Sequence, residues 1–317
     1  MAEVLAALDC GTNSTRLLVV DEDGRVLTRR MTVTRLGQGV DRTRRLAPEA
    51  IERTVAVLRQ YAAEMAQLGV TRARLAATSA ARDAENAAAF LAAAAEATGV
   101  DPEILSGEEE ARLSFQGATA QLPPDLAAAG PVLVVDIGGG STELAVGRPE
   151  EPDAVRAVSV DLGCVRLTER FLAEDPPSAA ALGAARAEVR AVLGAAREVL
   201  PTPAPGGTLV GLAGTVSTLV MLARGVGHYR RELVHHQRIS RQEVESWLAR
   251  LAGEPVAARR REPGMVEGRA DVIVGGALVL AEALAVFDQA ACLASEEDIL
   301  DGLVASLRRS SARPPGP

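Results

Sequence analysis

VLVVDIGGGSTELAVG, residues 132–147, carries an apolar strand straight into a run of glycines and out into a second strand that begins at Thr142. A stretch of the same form stands near the start of the chain, VLAALDCGTNSTRLLVVD at 4–21. The two align residue by residue: Asp9 on Asp136, Gly11 on Gly138, Ser14 on Ser141, Thr15 on Thr142 and Leu17 on Leu144. Strand patterning on either side of a glycine turn predicts a β-hairpin, and glycine lets backbone amides come close to a ligand. Consecutive N–H groups in such a turn form a nest that suits phosphate oxygens. Gly11, Thr12, Asn13, Ser14 and Thr15 are therefore candidate phosphate-binding residues, as are Gly138, Gly139, Gly140, Ser141 and Thr142. Asp9 and Asp136, at the strand ends, are candidate ligands for a divalent cation. Glu143 stands where the first hairpin has Arg16, so the copies differ in charge at one place. A metal or water partner on one side and a phosphate partner on the other would use that difference, while a simple surface ion pair accounts for Arg16 nearly as well.

Working outward, a duplicated plan of hairpin and helices predicts an α/β chain of two similar lobes facing each other across a cleft. Residues 4–36 alternate as strands around a turn at DEDGR, 21–25. A helix is expected over 48–68, opened by Pro48 and closed at Gly69, and another from Asn86 to Thr98. QLPPDLAAAGP, 121–131, is the first serious break and sets the lobes at 1–123 and 124–295. The second half reads as strands around 132–147 and 154–160, then a helix from Ser178 to Leu200 and a linker PTPAPGG at 201–207. Strand TLVGLA, a loop GTVST and helices over 240–252 and 266–287 follow. A final helix at about 296–310 is expected to pack back on the first lobe, ahead of a frayed tail at 311–317.

With 317 residues, 48% hydrophobic and 24% charged, the chain has the composition of two ordinary globular domains. A net charge of −8 argues against a broad nucleic-acid-binding face, although a local arginine cluster can still hold a small anion. Every basic side chain except histidine is arginine, which excludes a Walker-A lysine and a Schiff-base lysine. Cys10, Cys164 and Cys292 are far apart, so neither a disulfide framework nor a structural zinc site is expected. His235 and His236 are adjacent, are expected to point in different directions, and make a poor metal pair. The longest apolar run, 271–287, contains Asp271 and Glu282 and reads as a buried helix rather than a membrane span. With no basic leader before the first strand, the expectation is a cytoplasmic protein with neither membrane nor nucleic acid as partner.

Further candidates lie between the strands. SGEEEARL at 106–113 has the Ser106/Glu109 spacing of a capping box, which accounts for much of the run; if one of its glutamates also points into the cleft, it could orient or deprotonate an attacking water. ATSAARDAEN at 77–86 places Arg82 just past a strand end, where a guanidinium fork can grip a phosphate or simply meet solvent. GLAGTVSTL at 211–219 is a third strand–glycine–helix transition, with Gly214 and Thr215 suited to a phosphate or nucleoside at a helix N-terminus, or to a tight connection alone. ARRREP at 258–263 offers Arg259, Arg260 and Arg261 to a polyanion or to water.

Together DCGTNSTRLLV, ATSAARDAEN, SGEEEARLSFQGA, DIGGGSTEL, DLGCVRLTERF, GLAGTVSTL and MVEGRADVIVGGALVL resemble, in order and over nearly the whole chain, the exopolyphosphatase and guanosine pentaphosphate phosphohydrolase family in a short form. The resemblance implies two actin-like ATPase (ribonuclease H-like) lobes. It implies metal-dependent hydrolysis of terminal phosphate from inorganic polyphosphate, releasing orthophosphate and favouring short chains. Alternatives within its range are conversion of pppGpp to ppGpp and a non-catalytic (p)ppGpp sensor. A kinase of the same superfamily would need an acceptor pocket that no motif supplies. By motif position Glu110 matches the general base, Arg82 a phosphate contact, and Asp136 and Glu143 the acidic residues associated with Mg²⁺ or Mn²⁺ and the attacking water. The resemblance leaves a K⁺ requirement open and implies a homodimer; Arg269 matches a recurring position without an assigned role. Cys10 departs from the aliphatic or small residue usual there, which makes oxidation of the loop an expectation.

Overall fold

Every residue of β1 (Leu5–Cys10) is buried, as happens to a strand whose sheet is covered on both faces. The computed structural model describes residues 3–201 and 208–312. β1 is the centre of the first sheet, with β2 (Ser14–Val20), β3 (Val26–Val33), β4 (Arg72–Ala77) and β5 (Pro102–Ile104) in the order β3-β2-β1-β4-β5. The first three strands form an antiparallel meander, and β4 and β5 run parallel to β1. Alternate side chains of β1 serve opposite faces. Ala6, Leu8 and Cys10 pack with Leu58, Tyr61 and Met65 of α2 (Pro48–Gln67) and Phe90 of α4 (Ala87–Thr98). Leu5 and Ala7 pack with Leu113 of α5 (Gly107–Thr119) and with Ile299, Leu303 and Leu307 of the last helix, α13 (Ile299–Ala312). A Cβ on Gly302 would lie 2.1 Å from the Leu113 carbonyl oxygen, so glycine is what lets α13 cross α5 this closely. Two short helices, α1 (Val40–Thr43) and α3 (Ser79–Asp83), complete this unit, which takes the chain up to Gly117 and again from Ile299.

The second unit, Ala118–Asp298, begins with α6 (Pro124–Ala128) and repeats the sheet. β6 (Val132–Ile137), β7 (Thr142–Gly147) and β8 (Arg156–Val160) are the antiparallel meander. β9 (Thr208–Leu212) and β11 (Ala291–Ala294) are the parallel strands, and β10 (Arg238–Ser240) is added at the edge. The order β10-β11-β9-β6-β7-β8 thus contains the first sheet's arrangement in full. Two mixed sheets with the same strand order and flanking helices are the two actin-like lobes of the expected fold class.

The helices of this unit are α7 (Cys164–Phe171), α8 (Ala179–Val199), α9 (Ala213–Arg224), α10 (Arg241–Ala252), α11 (Val256–Arg259) and α12 (Ile273–Val286). α12 is buried continuously from Ile273 to Leu284, the pattern of a helix packed on all sides. Its adjacent glycines seat two other helices. A Cβ on Gly275 would come within 2.8 Å of the Cys164 carbonyl of α7, and one on Gly276 within 2.2 Å of Thr215 Oγ1 of α9.

Several boundaries differ from the sequence reading. The first unit ends inside α5 rather than at residue 123, because α5 packs into its core. The helix expected from 266 starts at Ile273, because Gly264 and Gly268 take left-handed φ of 97° and 74° and break the run. GTVST is the first turn of α9 and not a loop, since β9 passes into the helix at Ala213. The linker from residue 202 and the tail from residue 313 lie outside the described residues. Among the described residues no helix is long and apolar enough to cross a membrane.

Candidate active site

Both copies of the repeated phrase fold into the same hairpin. Gly11 N–H donates to the Ser14 carbonyl at 3.0 Å, and Gly138 N–H to the Ser141 carbonyl at 3.0 Å. Neither glycine adopts a left-handed backbone; what each provides is room, since a Cβ would lie 3.2 Å from Ser14 O in the first and 3.0 Å from Ser141 O in the second, closer than ordinary contact.

In the second hairpin the carbonyls at the tip are all taken from one side. Gly138 O accepts from Cys164 N–H at 3.0 Å, and Gly139 O from Val165 and Arg166 N–H at 2.9 and 3.1 Å. Gly140 O accepts from the Arg166 Nε–H at 2.6 Å. A trans peptide points its N–H opposite to its C=O, so the amides of Gly139, Gly140 and Ser141 are turned the other way, as a nest of successive donors. No protein acceptor takes these amides among the described residues. The approach of α7 depends on Gly163, where a Cβ would sit 2.2 Å from Gly139 O.

The first hairpin is braced by the segment after β3. Thr12 O accepts from Gly37 N–H at 2.9 Å, and Asn13 O from Thr34 and Arg35 N–H at 3.1 and 2.9 Å. Asn13 is buried, and its side-chain Nδ2 has no hydrogen-bond partner among the described residues. A buried donor in that state calls for an acceptor from outside.

The hydroxyls divide by strand parity. Thr15 shares a 2.9 Å hydrogen bond with Thr34, and Thr142 donates to Leu162 O at 2.6 Å; both are fully buried. Their hydroxyls serve the sheets, contrary to the expectation of phosphate donors. Ser14 and Ser141 remain at the turns.

The strand-end carboxylates have opposite surroundings. Asp9 lies across the ladder from Arg16, whose Nε–H and Nη2–H donate to Asp9 Oδ2 at 2.9 and 2.7 Å. Arg16 thus takes one carboxylate oxygen, Oδ2, of Asp9, the residue expected as a metal ligand. Asp136 lies across from Glu143, and both are buried. Glu143 Oε1 accepts from Ser159 Oγ of β8 at 2.7 Å. Like charges directly opposed on one sheet face destabilise each other, and a cation relieves that. The donors are carboxylate oxygens, which suit a hard ion such as Mg²⁺ or Mn²⁺ that takes one or two carboxylates and completes its shell with water and phosphate. Among the described residues no group of three or more His, Cys, Asp or Glu is placed to hold a metal ion.

Of the three glutamates opening α5, Glu108 and Glu109 are exposed, with surface partners Arg112 at 3.8 Å and Arg74 at 3.6 Å. Glu110 is the buried one, its Oε2 accepting from Arg82 Nη1 at 2.8 Å. The same Nη1 donates to Leu105 O at 2.9 Å, which fixes Arg82 at the end of α3. Ser106 caps the helix through Glu109 N–H at 3.2 Å.

The other candidates lie away from the two hairpin turns. The Arg269 guanidinium lies against Gly214, where a Cβ would be 1.8 Å from its Cζ, so a cation already covers the start of α9. Arg259 is buried and donates to Leu251 O and Ala270 O, leaving Arg260 and Arg261 as the exposed pair of that run. His235 and His236 stack with ring centroids 3.7 Å apart instead of diverging, because His236 takes a left-handed φ of 60°. Cys10 is fully buried and burial, helped by Asp9, pushes its thiol well up, so the expected oxidation sensitivity loses its thiolate. Sequence reasoning missed Arg166, Gly163 and Ser159; DLGCVRLTERF showed a glycine before a helix but not which carbonyls that helix would meet.

The chain matches the Ppx/GppA phosphatase family over residues 18–310. It belongs to that family. Exopolyphosphatase 2 of Mycobacterium tuberculosis is 41% identical over 319 residues, covering 96% of this chain and 98% of the relative. Among solved structures, an exopolyphosphatase-like protein superimposes with a TM-score of 0.89 at 36% identity, covering 97% of this chain and 99% of its own. An Aquifex aeolicus Ppx/GppA family member gives 0.81 at 29% identity, covering 99% of this chain and 100% of its own.

Proposed function

We propose that this protein is an exopolyphosphatase, releasing orthophosphate from the end of inorganic polyphosphate with Mg²⁺ or Mn²⁺ bound. The observation that carries the reading is the second hairpin, where a nest of amides at Gly139, Gly140 and Ser141 adjoins the opposed carboxylates Asp136 and Glu143. A strip of donors beside paired acids suits an anion that arrives with a divalent cation, which is how polyphosphate exists in water. The name of the mycobacterial relative supports the same substrate class.

In this reading the amides of the second hairpin hold phosphate oxygens in one unit, and the Asn13 side-chain amide and the first turn hold phosphate oxygens in the other. Glu110, kept in place by Arg82, takes a proton from the water that attacks the terminal phosphorus. The water oxygen bonds to phosphorus, the bridging anhydride bond breaks with its electron pair going to the shortened chain, and orthophosphate departs. Asp136 and Glu143 would hold the metal, which when bound neutralises charge on the phosphoryl oxygens.

The test measures orthophosphate release in parallel from short polyphosphate, long polyphosphate, pppGpp and ATP, with Mg²⁺ or Mn²⁺. Polyphosphate should be the preferred substrate, and Glu110→Gln should lower kcat by roughly 100-fold or more with substrate binding kept. Near-normal turnover in Glu110→Gln removes it as the base. Release from pppGpp alone replaces the substrate, and release from none of the four, in a folded protein, overturns the reading.

A further inference from the structure

Among the carbonyls at the tip of the second hairpin, those of Gly138 and Gly139 are met by main-chain amides at the start of α7, but Gly140 O is met by a side chain, the Nε–H of Arg166. Arg166 is 4% exposed, an unusual depth for a guanidinium. Its Nη2 also lies 3.8 Å from the carboxylate of Asp161, whose side chain is 79% exposed, so that surface pair adds little. What the position does supply is a donor where the helix backbone has none to give, because the Arg166 amide itself is spent on Gly139 O.

We propose that Arg166 is a positioning residue for phosphate, acting through the Gly140–Ser141 peptide. Holding Gly140 O inward keeps the Ser141 N–H outward, in line with the amides of Gly139 and Gly140. The peptide follows consecutive glycines, whose backbone rotates at little cost. Without the Arg166 donor a flip of this peptide exchanges an outward N–H for an outward C=O, which removes one donor from the nest and sets a partial negative charge against a phosphate oxygen. The effect belongs to binding of the anion and not to proton transfer. The inference rests on the phosphate-binding reading of this hairpin.

The experiment replaces Arg166 with Met, which keeps an unbranched side chain in the buried site without a donor, and with Gln and Lys, which restore one. KM for short polyphosphate should rise about tenfold in Arg166→Met, the size of one charge-assisted hydrogen bond lost, with kcat within a few-fold of wild type. Competitive inhibition by orthophosphate should weaken in parallel, and Gln or Lys should recover part of both. Asp161→Asn, which removes only the exposed carboxylate, should leave KM unchanged. Binding of tripolyphosphate by titration calorimetry reads the same ranking without turnover, so a wild type that binds but does not hydrolyse sinks the exopolyphosphatase reading and still tests Arg166. If Arg166→Met melts earlier but keeps wild-type KM and binding, Arg166 is structural only and the proposal is overturned. If Met fails to fold, the same ranking is read between Gln, Lys and wild type, and wild-type KM and tripolyphosphate affinity in both while their melting temperatures fall equally overturns it.

Discussion

In the first hairpin the strand-end carboxylate, Asp9, faces Arg16 across the ladder, whereas in the second Asp136 faces Glu143 from the equivalent position. The turns between them share the same closing hydrogen bond and the same need for a side-chain-free residue. One cross-strand neighbour therefore sets whether the strand-end acid is opposed by a cation of the protein or by a second carboxylate. The bracing differs as well. An irregular segment, Thr34–Gly37, supports the first tip with main-chain donors to Thr12 and Asn13, while a helix N-terminus and a buried arginine support the second at Gly138, Gly139 and Gly140. At the second tip three successive carbonyls, Gly138, Gly139 and Gly140, are all held, against two at the first among the described residues.

The harshest way to test that difference is to add one methyl group at each brace. In Gly163→Ala the new Cβ would meet Gly139 O at 2.2 Å and Gly140 N at 2.5 Å, atoms that cannot rotate aside. Orthophosphate release should fall by roughly 100-fold, as for an ångström-scale displacement of a binding loop, and overpacking should cost about 1–3 kcal/mol in unfolding experiments. In Gly37→Ala the nearest atoms are Thr12 Cγ2 at 2.5 Å and Ala80 Cβ at 2.9 Å, side-chain atoms rather than the backbone of the turn, and both clashes are milder than at Gly163. The loss there should be about tenfold or less. Equal losses in the two variants would break the comparison.

A metal titration sharpens its electrostatic half. Glu143→Gln removes one of two opposed carboxylates and should raise the Mn²⁺ concentration for half-maximal activity by about tenfold or more, as loss of a group at a metal site does. Asp9→Asn should shift it by less than about twofold, because Arg16 already offsets that charge. Chelation should silence both. A larger shift in Asp9→Asn than in Glu143→Gln would move the cation to the first hairpin.

How much of this was open to a reader of the sequence follows from the range of each interaction. The hairpins were legible because Asp9–Leu17 and Asp136–Leu144 repeat a local pattern, and α2, α4 and α8 because their caps and periodicity are local too. The inward turn of Thr15 and Thr142 was legible in principle: side chains alternate along a strand, so a residue next to Arg16 or Glu143 faces the other side of the sheet. The buried state of Glu110 beside exposed Glu108 and Glu109 was not, since it depends on how α5 meets Arg82 from α3. Arg166 was least legible of all. Its role is set by a carbonyl far earlier in the chain that a helix start happens to leave without a main-chain donor. His235 and His236 misled because alternation assumes ordinary φ, and His236 departs from it.

The third glycine turn inverts the logic of the two hairpins and yields the smallest expected effect. Gly11 and Gly138 are glycine for space and not for φ, whereas at Leu212–Gly214 the left-handed position, φ 66°, is occupied by Ala213. A β-carbon in that conformation costs roughly 1–2 kcal/mol. Glycine would remove the strain but bring back roughly 0.4–1 kcal/mol of unfolded-chain entropy. Ala213→Gly should therefore stabilise by about 0.5–1 kcal/mol, a rise of roughly one to four degrees in melting temperature for a domain of this size. KM and kcat should not move if the turn only carries the chain from β9 into α9 beneath Arg269. If stability rises and turnover falls together, the strained Ala213 is holding Gly214 and Arg269 in a geometry that the reaction uses, and the third turn joins the two hairpins as part of the catalytic apparatus.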